Sequence, residues 1–349
     1  MLDAIPGPLQ AIAWPLVGAA VILVLGRLLP GPLRRLLSAA GALASLAVLW
    51  SLRSGSQAPV EIYWEPLNFF RLSPTLVLDG LSVTVGLTLA AIAAAGALGM
   101  PEPAPRRPAW HSLILIALTG CLGLVMAGNL LTLALGSALI DLALVAIALT
   151  AEDEPDRVAW RMVVPGAAST LLLFFAALQM DAQVGSASLS ALDFPIGVLV
   201  LVAAAGLLRM LIFPLHPRGL NTPASALTAL PPVVAGIFLV VRAETIAPIL
   251  VDQTWMLTSG AIALLVGGFL VWVGSIDALR HHGQRPEALG AVWPGIAVHQ
   301  TGYALAFSLL ALSSVPWPLL SLALVLAQMA VWWSVGSEPA AHHSPNRET

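Results

Sequence analysis

Apolar runs long enough to cross a lipid bilayer recur along the whole sequence, and no other feature constrains its fold as much. A bilayer core of roughly 30 Å needs about 20 consecutive apolar residues in an α-helix. About eleven such stretches are present, near residues 8–29, 33–52, 79–99, 110–127, 129–150, 160–180, 193–213, 223–245, 255–274, 291–312 and 316–336. Only 9% of the residues are charged and 58% are hydrophobic, whereas ordinary soluble domains carry roughly 25% charged residues. In hydrocarbon each unpaired backbone amide costs several kcal/mol, which restricts spanning segments to helices and closed barrels. The runs lack the apolar/polar alternation of barrel strands. The expectation is an all-α polytopic membrane protein, with one transmembrane domain over 1–336 and a polar cytoplasmic tail over 337–349.

The connections between runs are short. In the stretch 110–150 only Gly128 and Asn129 separate two spans. Segment 53–78 carries Glu61, Tyr63, Trp64, Glu65, Phe69 and Phe70, a polar and aromatic mixture suited to an interfacial loop or hairpin. Pro214 and Pro217 interrupt any helix through Phe213–Arg218, so a broken helix is expected near 213–223. Pro231 and Pro232 should bend the span that follows. The N-terminus opens with Asp3, Pro6 and Pro8 and has no basic residue before the first run, unlike a cleaved signal peptide.

Orientation follows from arginine, because the sequence contains no lysine. With the N-terminus outside, twelve of the 15 arginines fall at cytoplasmic ends and only Arg53, Arg71 and Arg242 fall outside. That is the bias of the positive-inside rule, and an odd number of spans then leaves the C-terminus in the cytoplasm.

Several function classes are excluded. A net charge of −3 offers no basic surface for nucleic acid. No Gly-rich phosphate loop, zinc-spaced His/Cys set or nucleophile elbow is present. The single cysteine, Cys121, lies in an apolar run and reads as a small buried residue. His281 and His282 are too few for a metal site, and Glu152, Asp153, Glu154 and Asp156 read as a solvated loop. Nothing here ligates an iron–sulfur cluster or binds flavin, so no cofactor is expected, and any redox chemistry belongs to partners.

Ionisable residues inside spans are costly and therefore informative. Asp141 lies mid-span, where a carboxylate needs a cation, water or a proton; it reads either as a proton relay or as a structural partner of an arginine on a neighbouring helix. Arg209 lies four residues before the Phe213–Pro214 break and reads as fixed charge or as a side chain snorkelling to the interface. His216 and His299 titrate near neutral pH, and each reads as a relay or as a satisfied packing residue. Asp79 opens the third span and reads as its cap.

Four segments together resemble a known family. They are Asp79-Gly80-Leu81-Ser82; Gly128-Asn129-Leu130-Leu131-Thr132-Leu133; Phe213-Pro214-Leu215-His216 followed by Thr222-Pro223-Ala224-Ser225-Ala226-Leu227; and Gln300-Thr301-Gly302-Tyr303. In order and spacing, over about 60–312, they resemble motifs of the antiporter-like membrane subunits of respiratory complex I and of Mrp-type sodium/proton antiporters. The resemblance implies an antiporter-like helical bundle with an incomplete second repeat. It implies neighbouring membrane subunits as partners and protons or small cations as cargo. It places the family's fifth-helix glutamate on Ala138, with Asp141 three residues on, and the family's seventh-helix lysine on Arg209. Three functions follow as expectations: an ion-translocating subunit of a complex I-like or Mrp-like assembly, a non-conducting assembly subunit, or the membrane subunit of an energy-coupled ion importer. Any enzymatic role would be that of a subunit in an NADH:quinone oxidoreductase-like translocase.

Overall fold

A computed structural model of the protein describes residues 5–53, 59–62, 73–99, 109–151, 155–191, 194–209, 234–236, 238–243 and 246. Among them are seven helices: α1 (Gly7–Leu25), α2 (Gly31–Leu52), α3 (Gly80–Gly99), α4 (Ala109–Val125), α5 (Leu130–Ala151), α6 (Pro155–Val184) and α7 (Ile196–Arg209). A further helical segment covers Val234–Ala243. Five of the helices, α1, α2, α3, α5 and α6, are long and apolar enough to cross a membrane.

Local sequence explains the boundaries. Pro30 cannot donate a helical N–H, so α1 closes in a turn after Leu25 and α2 restarts at Gly31 with Pro32 in its first turn. Pro155 starts α6 in the same way, and the helix then runs 30 residues to Val184, well beyond the expected 160–180 at both ends. Met126 to Asn129 form the turn that divides 110–150 into α4 and α5. Segment 53–78 contains a hairpin, in which β1 (Val60–Glu61) pairs antiparallel with β2 (Thr75–Leu76), Val60 opposite Leu76.

Helix α4 is the centre of the packing. It contacts α1, α2 and α3 on one side and α5 on the other, and α6 and α7 follow outward from α5. Gly120 and Gly136 permit the α4–α5 contact, since a methyl group at 136 would lie 2.6 Å from the Leu124 backbone nitrogen and one at 120 would lie 2.9 Å from that of Ile140. Backbones this close exchange dispersion contacts that lipid cannot supply, the usual source of helix association where solvent is itself apolar. Leu115, Leu122, Leu124, Leu130, Leu133 and Ile140 are buried, with Leu115 reaching Gly18 of α1 and Gly41 of α2 and Leu122 reaching Gly86 of α3. Outward faces are apolar too: Leu171, Phe175 and Leu178 form an exposed stripe at helical spacing on α6, as lipid-facing positions should.

The expected broken helix near 213–223, the incomplete second repeat, the spans beyond 246 and the tail lie outside the described residues.

Candidate functional site

An ionic centre lies where α5, α6 and α7 meet. On α5, Ser137 and Asp141 stand one turn apart and share a face; on α6, Gly166 and Thr170 do the same; Arg209 is the last residue of α7. The Arg209 Nη2 atom donates to Asp141 Oδ2 at 2.9 Å, to Thr170 Oγ1 at 3.1 Å and to the Ser137 hydroxyl. Thr170 Oγ1 is 2.6 Å from Asp141 Oδ2 and 3.0 Å from Ser137 Oγ. One guanidinium nitrogen therefore gathers a carboxylate and two hydroxyls from two other helices.

Arg209 is 1% exposed and Asp141 is 15% exposed. Arginine remains charged even in hydrocarbon, so burial of this kind requires a counter-charge at contact distance. Asp141 supplies it. Cys121, fully buried on α4, lies within electrostatic reach of both charges. The Nε and Nη1 atoms of Arg209 have no hydrogen-bond partner among the described residues. Asp141 is used asymmetrically: Oδ2 accepts from Thr170 and Arg209, whereas Oδ1 lies against Gly166 and receives no donor among the described residues.

A second polar cluster occupies the ends of α3 and α5. Asp79 Oδ1 accepts from the Ser82 backbone N–H at 2.8 Å and the Ser82 hydroxyl at 2.7 Å, capping α3. Asn129 Oδ1 caps α5 in the same manner through Thr132, at 2.8 and 2.7 Å, while its Nδ2 donates to the Ser73 carbonyl. The backbone around Gly128 is tied to the hairpin by Gly128 N–H to Thr75 O at 2.7 Å and Val77 N–H to Met126 O at 2.7 Å. Glycine is required there, because a methyl group at 128 would lie 2.7 Å from the Val77 side chain. From the 234–243 segment, Arg242 Nη1 reaches Asp79 Oδ2 at 2.5 Å. Burial pushes the Asp79 carboxyl up, but the Arg242 guanidinium and the Ser82 hydrogen bonds outweigh it and hold the group below its ordinary 3.8. A cavity of about 520 Å³ opens here, lined by Glu61, Asp79, Asn129, Ser188 and Arg242 among others.

No family model matches the sequence, and neither does any curated protein sequence. Solved structures do match. A chain of respiratory complex I from Thermus thermophilus, solved with bound aureothin, superimposes with a TM-score of 0.65 at 19% identity, over 92% of this chain and 69% of that one. A chain of the Mrp complex from Dietzia sp. DQ12-45-1b gives 0.67 at 20% identity, over 91% of this chain and 37% of that one. The fold is an all-α polytopic membrane fold shared with chains of such complexes. A chain of the membrane-bound sulfane sulfur reductase, an archaeal respiratory membrane complex, gives 0.59 at 18% identity, over 93% of this chain and 56% of that one. This chain thus spans little more than a third of the Mrp chain it resembles.

Two of the four sequence landmarks now have a physical role. Asp79-Gly80-Leu81-Ser82 and Asn129-Leu130-Leu131-Thr132 are both helix N-caps, with a side-chain oxygen taking the N–H and hydroxyl three residues on. The other two landmarks, at 213–227 and 300–303, lie outside the described residues. So do His216 and His299.

Asp141 and Arg209 are brought together in a salt bridge. Arg209 does not snorkel, because α7 presents it inward onto α5, where Asp141 and two hydroxyls replace the water it would otherwise seek. Sequence reasoning missed Ser137, Gly166, Thr170 and the Asp79–Arg242 pair. The only available signal was the four-residue spacing of Ser137 and Asp141. Nothing local to α6 marks Gly166 or Thr170.

Proposed function

We propose that this antiporter-like chain is a subunit of a complex I-like or Mrp-like membrane assembly and contributes to proton or small-cation translocation driven by partner subunits. The observation that carries this reading is the buried Asp141–Arg209 pair between three helices. Asp141 is the relay carboxylate in this reading. Arg209 is fixed charge, because a guanidinium neither gives nor takes a proton in this range. A proton arriving at Oδ1 would leave the Thr170 and Arg209 bonds to Oδ2 in place. His216 and His299 are the remaining relay candidates. The N-terminus lies outside and the C-terminus in the cytoplasm. The arginine bias supports this orientation, while the meeting of Asp79, at the start of the third span, with Arg242, near the end of the eighth, agrees with the order of spans, which puts both on one side. The similar structures supply the assembly part of the reading, since each is named as a complex.

A second reading, a non-conducting assembly subunit, draws on the same centre. Protonating Asp141 would strand Arg209 as a buried cation at a cost of several kcal/mol, which favours a permanently closed pair. One experiment separates the two. The assembly is purified with wild-type chain or Asp141→Asn, reconstituted in proteoliposomes, and assayed for proton and sodium flux driven by its own substrate. Loss of flux with intact assembly supports translocation through Asp141; unchanged flux supports the assembly role.

A further inference from the structure

Gly166 of α6 faces the Asp141 carboxylate with no side chain, one turn before Thr170, and the space a side chain would take is occupied by that carboxylate. A methyl group at 166 would lie 2.6 Å from Asp141 Oδ1, 2.9 Å from Cγ and 3.4 Å from Oδ2. Real Cβ atoms do not approach oxygen to 2.6 Å, so the carboxylate would have to turn or the helices separate. The oxygen bonds available to it leave little freedom. Oδ2 is fixed by Thr170, one turn from Gly166 on the same helix, and by Arg209 on α7. Any rotation that relieves Oδ1 moves Oδ2 away from one of these donors. The glycine is also held in place, because Ser169 Oγ donates to the Ala205 carbonyl at 2.8 Å, tying α6 to α7.

We infer that Gly166 is a positioning residue for the Asp141–Arg209 pair, and that the absence of a side chain there lets the carboxylate lie with one oxygen on Arg209 and Thr170 and the other in the space beside Gly166. The inference deepens the proposed function but depends only on the geometry of the pair, so it holds or fails independently of ion flux. It separates Gly166 from the chain's packing glycines. Gly120 and Gly136 would place a methyl group against backbone, whereas Gly166 would place one against the Asp141 carboxyl side chain.

The test is a mutant cycle on the full chain, reading the thermal midpoint in mild detergent and the amount accumulated in membranes. Gly166→Ala in the wild-type background should lower the midpoint by about 1–4 °C, the size expected of an overpacked site in a chain of this length. Asp141→Ala with Arg209→Met removes the pair, and adding Gly166→Ala to that double variant should leave the midpoint unchanged or raise it, since the methyl then fills vacated space. If Gly166→Ala fails to accumulate, recovery of the triple variant to the level of the double variant supports the inference equally. An equal loss from Gly166→Ala in both backgrounds would overturn it and make Gly166 a backbone packing residue. Loss of flux in Asp141→Asn beside a flat cycle would keep the proposed function and remove the role of Gly166.

Discussion

Arg242 of the 234–243 segment contacts Asp79 at the start of α3, at 2.5 Å and across 163 residues of sequence. The pair joins the 234–243 segment to the part of the bundle built on α4 and stands beside the hairpin of β1 and β2. Asp79 also caps α3, so one carboxylate serves a local and a long-range contact through different oxygens.

This pair predicts an acid-labile element of stability. The Asp79 carboxyl is held below its ordinary 3.8 in the folded chain, so its contribution is fully present above that value and is lost as pH falls through the lower folded value. The midpoint difference between wild type and Asp79→Asn should therefore be constant from pH 7 to about 5 and shrink below about pH 4. A difference that persists unchanged at the lowest pH would show that Arg242 and Ser82 do not act on the ionised form.

At the buried centre, removing one charge should cost far more than removing both. Arg209→Met or Asp141→Leu alone should destabilise the chain by about 3–5 kcal/mol, because each leaves an uncompensated charge or its donors buried. The double variant should recover most of that loss. Equal, additive losses measured by thermal unfolding would mean that the two side chains act separately.

Thr170 tests the hydroxyl part of the network. Thr170→Val keeps the shape but removes the donor to Asp141 Oδ2, and about 1–3 kcal/mol should be lost. Thr170→Ser keeps the donor and should lose less. A larger loss for Thr170→Ser than for Thr170→Val, read as shifts in midpoint, would attribute the effect to the methyl group's packing.

The α4–α5 seam gives a prediction with its own control. Gly136→Leu forces a side chain against the Leu124 backbone and should prevent accumulation of folded protein, whereas Gly123→Ala, with nothing within 4 Å of the added methyl, should be neutral or stabilise by about 0.5–1 kcal/mol. Fluorescence-detected size exclusion of tagged variants distinguishes these outcomes.

The membrane class, the helix positions from α1 to α7 and the break at Gly128-Asn129 were all legible in the sequence. Each follows from local rules: the length of apolar run that a bilayer demands, the turn chemistry of proline and glycine, and the shape of an N-cap. Asp141 and Arg209 stood out for the same reason, since a charge within an apolar run is visible without any knowledge of its neighbours. Their relation to one another was not visible. Sixty-eight residues separate them, and a periodic apolar helix looks alike on every face, so the sequence left open whether Arg209 turned inward or toward the interface. Tertiary packing decided it. The close approach of α6 to α5 at Gly166 and the path of α7 over Ser137 place two hydroxyls and a carboxylate around one guanidinium nitrogen, and only that enclosure makes burial of the charge tolerable. Apolar length and turn residues act over one or two helical turns, whereas pairing of buried charge depends on which helix faces which.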